Sequence, residues 1–111
     1  MSGRNGWERG ACRIVTTRAP EDGEPALAWF HKRAPGLAVV QLDPSEFLGR
    51  YSITHASSGR AIAKGFMRRA DAQRGALAVA KLTDWTRTMD DLVGDIALSR
   101  LVSRALYEVA P

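Results

Sequence analysis

Hydrophobic and polar residues alternate along the first two thirds of this chain and recur at helical spacing along the last third. Tyr51, Ile53 and His55 alternate with Ser52 and Thr54, as in a strand with two distinct faces. After the turn residues Ala56-Ser57-Ser58-Gly59 the alternation resumes over 60–66. It puts Arg60, Ile62, Lys64 and Phe66 on one side and Ala61, Ala63 and Gly65 on the other. An even-length turn keeps the larger side chains of both strands on one face, whereas a bulge would scramble them. Upstream, residues 26–32 and 37–42 flank Arg33-Ala34-Pro35-Gly36, and Pro-Gly at that place predicts a type II turn in a first hairpin. The β-branched run Arg13-Ile14-Val15-Thr16-Thr17 predicts a short strand, followed by a turn-rich loop over 19–25. Residues 43–49 break the pattern, with room for one helical turn.

The helical part begins at 69 or 71 and runs to 82, dense in alanine, so it can approach a sheet closely. A linker over 83–87 carries Trp85, placed to cover the core. Thr88, with an acid at Asp91, has the spacing of an N-cap for a last helix over 89–109. Asp90, Asp91 and Asp95 sit early in that helix and Arg100 and Arg104 late, which suits the helix dipole. Leu92, Ile96 and Leu106 form one apolar line, and Leu98, Leu101, Val102, Ala105 and Val109 another. That is more than one covered stripe needs. Either the helix lies between the sheet and the first helix, or part of it makes a homodimer contact.

Strands followed by helices predict an α+β fold: an antiparallel sheet of four to five strands over about 13–66, then two packed helices over about 69–82 and 89–109. Residues 1–12, rich in Gly, Arg and Asn, are expected to be loose apart from Trp7, ahead of a single domain over 13–111. A content of 45% hydrophobic and 25% charged residues fits such a domain. No apolar stretch is long enough to cross a bilayer, and the N-terminus has no apolar signal-peptide region. One cysteine allows no internal disulfide, and with two histidines it makes a poor metal inventory. The expectation is therefore a cytoplasmic protein with no cofactor and no metal.

Charge changes the picture more than composition does. Residues 51–82 hold six basic groups against one acid, Asp71, while the segments before and after carry net charges of +1 and −2. A nucleic acid or an acidic protein surface would meet the middle third first. Within it, Arg60 and Lys64 are expected beside Tyr51 and Phe66 on one sheet face. That mixture of rings and cations suits single-stranded nucleic acid, although Ile53, Ile62 and Phe66 on the same face read as core. Trp29 and Phe30 beside His31-Lys32-Arg33 repeat the association. Arg68 and Arg69 stand at a helix start, where each opposes the dipole at a cost of about 0.3–1 kcal/mol. The exposed N–H groups there would hold an anion, unless the arginines pair with Asp71 or Glu46. The candidate contact residues are Tyr51, Arg60, Lys64, Arg68, Arg69 and Arg74.

Catalytic patterns are weak. His55-Ala56-Ser57 has the spacing of a two-histidine phosphoesterase motif but lacks its second copy, and neither a G-x-S-x-G elbow nor a G-K-[ST] loop occurs. The expectation is a small non-enzymatic binding protein acting on nucleic acid. The alternative is a protein-binding adaptor or inhibitor of the phage or mobile-element type. In element order alone the chain resembles the coactivator-like single-strand-binding folds, with no shared motif to extend the likeness.

Overall fold

The computed structural model describes residues 6–16, 19–43 and 50–109. Five strands, β1 (Trp7–Ile14), β2 (Glu24–His31), β3 (Leu37–Gln41), β4 (Tyr51–His55) and β5 (Arg60–Phe66), precede three helices, α1 (Arg69–Ala80), α2 (Met89–Val93) and α3 (Ile96–Val109). The strands form one antiparallel sheet in chain order. This is the expected α+β arrangement, with three helices in place of two.

Both hairpins follow from their turn chemistry. The Leu37 N–H donates to the Ala34 carbonyl at 3.2 Å, with Pro35 next and Gly36 at φ 85°, the pattern of a type II turn. In the β4–β5 hairpin His55 faces Arg60 across the four-residue turn. The loose segment expected over 1–12 is corrected where it is described: Trp7 to Cys12 belong to β1 and pair with β2 residue by residue. Pairing with a neighbour has overridden the weak strand preference of Gly10 and the arginines. The helical turn expected within 43–49 and the pairing to Glu46 fall outside the described residues.

One sheet face carries Trp29, Leu37, Val39 and Ile53 against Ala72, Ala76 and Val79 of α1, with Trp85, Leu92, Leu98 and Val102 completing the cluster. Removing side chains as large as Ile53 or Val79 from water contributes about 1.5–3 kcal/mol each. Small residues on α1 allow the close approach. A Cβ on Gly75 would come within 2.9 Å of Leu106 and 3.0 Å of Ile53, so it is α1, not the last helix, that lies between sheet and helix. Trp85 covers the core as expected, its indole N–H donating to the Val79 carbonyl at 2.7 Å.

The other face is buried as well. Cys12, Ile14, Ala28, Ala38, Val40 and Leu42 pack together there, and Ser52 and Thr54 have almost no exposure. The sheet curls toward this face, and the chain leaving β1 reaches the β4–β5 turn, where the Val15 N–H donates to the Gly59 carbonyl at 3.0 Å. The Ser/Thr/Ala side, expected outermost if the apolar side were core, is an inner wall instead.

The last helix is broken once. The Gly94 N–H closes α2 on the Asp90 carbonyl, and the Asp95 carboxylate accepts the Leu98 N–H at 3.0 Å, capping α3. The Thr88 hydroxyl caps α2 by accepting from the Asp91 N–H, as its position predicts.

Gly59 makes the sheet closure possible: its φ is 73°, and a Cβ there would collide with the Arg13 carbonyl. Gly59→Ala should destabilise the protein by about 1–3 kcal/mol, the usual cost of strain in that backbone region. It should appear as a lower urea midpoint at unchanged slope. Gly94→Ala, where φ is −69° and the added contacts are ordinary, should stay within about 0.5 kcal/mol of the parent.

Candidate nucleic-acid interface

The six basic side chains of the middle third, Arg60, Lys64, Arg68, Arg69, Arg74 and Lys81, are all exposed, and they separate into distinct places. At the start of α1, Arg68 occupies the N-cap in an extended conformation and makes no capping hydrogen bond with its side chain. Its Nε lies 3.4 Å from the Asp71 carboxylate, which also pairs with Arg74. Of the two possibilities for Arg68, pairing with Asp71 is therefore the one observed. Its side chain is 76% exposed, and such surface pairs hold a guanidinium weakly, at about 0–1 kcal/mol.

Arg69 is placed differently. Its guanidinium lies over the Trp29 ring, 4.5 Å from the centroid, and the Tyr51 ring stands 6.2 Å from Trp29 at a tilt of 60°. Trp29 belongs to the core, while Tyr51 is half-buried at its margin. One corner of the protein thus brings together Tyr51, Arg69, Arg68 and Arg74, although Arg69 lies over Trp29 and pairs with no acid among the described residues. The link to Trp29 joins residues forty apart and has no trace in local spacing.

Arg60 and Lys64 do not share that corner. Irregularities between Tyr51 and Ile53 and between Ile53 and Thr54 insert extra residues into β5, so Ile53 faces Ala63 and Tyr51 faces Phe66. Ile62 and Phe66 pack on the helix-side core, but Lys64 lines a groove on the inner side with Arg60, Ser52 and Thr54. The single ring-and-cation face expected from strict alternation is thereby divided. Gly65, with φ 95°, was the one local sign of a bulge.

The remaining chemical candidates are engaged in structure. His55 is fully buried: its Nε2 donates to the Arg87 carbonyl at 2.8 Å, since a carbonyl can only accept, and its Nδ1 is 2.7 Å from the Ser58 hydroxyl. His31 Nδ1 accepts the Arg33 N–H at 3.0 Å, and its ring meets Trp7 edge-on. No group of three or more His, Cys, Asp or Glu among the described residues is arranged to hold a metal. No described helix is long and apolar enough to cross a membrane.

Burial pushes the Cys12 thiol above its ordinary pKa. At mildly alkaline pH it should hold less thiolate than a free cysteine, and thiolate is the reactive form. Labelling with a disulfide reagent should accordingly be slow in the folded protein and become rapid in denaturant; equal rates in both states would contradict the burial. The chain matches no protein-family model, no curated protein and no solved structure, so the chemistry of this surface rests on its own residues.

Proposed function

We propose that this chain is a small non-enzymatic protein that binds nucleic acid through the β5–α1 surface. The observation that carries the reading is the group of exposed cations Arg68, Arg69 and Arg74 at the start of α1, in a segment, 51–82, whose one acid is Asp71. Arg68, Arg69 and Arg74 suit phosphates, and the outer side of the Arg69 guanidinium, backed by Trp29, offers a plane on which a base can stack beside Tyr51. A reducing, cytoplasmic setting goes with a chain holding one buried cysteine.

Affinity for single-stranded oligonucleotide should fall steeply as salt rises, because neutralised phosphates release counterions. The double substitution R68A/R69A should weaken binding tenfold or more, a loss of about 1.4 kcal/mol. Losing the Arg69–Trp29 contact should also lower stability modestly, by about 0.5–1 kcal/mol. Unchanged affinity in the folded double variant would end the reading. Retention of a protein partner after nuclease treatment of a lysate would transfer the surface to the adaptor or inhibitor alternative.

Self-association through the C-terminal helices is a second reading, favoured by the exposed Val93, Ile96 and Leu101. Asp90 and Asp91 precede this patch in the chain and Arg100 and Arg104 lie beside Ile96 and Leu101, so a second copy approaching antiparallel brings opposite charges together. Sedimentation velocity should show a concentration-dependent dimer that Ile96→Asp abolishes. A monomer at every concentration would remove this reading.

A further inference from the structure

The groove between the end of β1, the inner face of β4, β5 and α2 has a volume of about 530 Å³, a size typical of small-molecule sites. Its chemistry differs from that of the Tyr51–Arg69 corner. Ser52 and Thr54, both buried, lie in its wall with their hydroxyl oxygens 2.8 Å apart. Two hydroxyls bring two protons, and their mutual bond uses one. The second has no acceptor among the described residues. Both side chains stand where the facing β3 positions, Val40 and Ala38, are apolar, so the polar pair is local to the groove.

Arg60 and Lys64 supply positive charge along the β5 side, and Asp90 of α2 is the one acid among the described lining residues. The rest of the wall is apolar, contributed chiefly by Ile14, Leu42, Met89 and Val93. None of the described lining residues is aromatic, so none of them offers a nucleobase a ring to stack on. We propose that this groove binds a small molecule joining an oxyanion head, carboxylate or phosphate, to an apolar body. The head accepts from the spare hydroxyl proton and faces Arg60 and Lys64, while the body lies against the aliphatic wall. Asp90, on the opposite side, leaves the described lining residues with one net positive charge and disfavours ligands carrying several negative charges.

The experiment is an NMR titration of the full chain with octanoate and with phenyl phosphate, using octanol as the uncharged control. Saturable shifts of the Ser52, Thr54, Arg60 and Lys64 amides with at least one anion, and a much weaker response to octanol, are expected. The tighter of the two anions identifies the head. Thr54→Val and Lys64→Met should each weaken binding tenfold or more. Arg60→Met, at an exposed position, provides a second test should the Thr54 variant fail to fold. The proposal is overturned by no saturable shift with either anion, by octanol binding as well as octanoate, or by unchanged affinity in the Lys64 and Arg60 variants. Displacement of the anion by single-stranded oligonucleotide would also overturn it, since the groove would then belong to the nucleic-acid surface. That surface is tested separately by R68A/R69A.

Discussion

The hydrogen bond from the Val15 N–H to the Gly59 carbonyl ties the chain leaving β1 to the β4–β5 turn, and the second core lies on the sheet face that this contact closes. A five-strand sheet left open would present its second face to water, and Ala28, Ala38 and Val40 would be exposed there. Curling brings these small side chains into contact and makes a second core without a second layer of helices. Small residues are needed because the inner radius of such a curl leaves little volume to fill. The join holds at the turn, while farther along the seam the edges diverge and leave the groove lined by Ser52, Thr54 and Lys64.

The helix side is organised around a different kind of constraint, the satisfaction of polar groups inside a packed layer. The linker after α1 has to cross the end of the sheet, and its carbonyls would be costly if left without donors. His55, at the end of β4, donates to the Arg87 carbonyl, and Trp85, from the linker itself, donates to the Val79 carbonyl at the end of α1. The two bonds tie sheet, helix and linker into one unit. They give the buried histidine a structural role, consistent with the weakness of its sequence motif.

Much of this was legible in the sequence wherever the deciding interaction is local. The β4–β5 hairpin, the Pro35-Gly36 turn, the Thr88 cap and the alanine-rich face of α1 are written in neighbouring residues, and the structure places them as expected. What escaped was decided at a distance or by competition. Arg9 and Gly10 read as a loose tail but are held in β1 by β2. Asp95 reads as one more acid early in a long helix, yet its carboxylate does better as a cap and ends the continuity. The first irregularity in β5 reverses the alternation and the second restores it, so Ala63 faces Ile53 while Phe66 still meets Tyr51, and Lys64 falls between the two in place of its expected position opposite Tyr51. The candidate residues were individually surface cations as expected, but their grouping depended on pairing register and on Trp29.

Those irregularities also bear on how copies of the chain behave toward one another. β5 ends the strand order, so its outer rim has no strand of this sheet beside it. A flat, regular rim of that kind is a template for edge-to-edge polymerisation. In β5 the inserted residues, the turned backbone at Gly65 and the exposed Arg60 and Lys64 interrupt the regular ladder and twist it away from a second strand. The same two insertions that bring Lys64 to the inner side therefore guard the protein against cross-β aggregation.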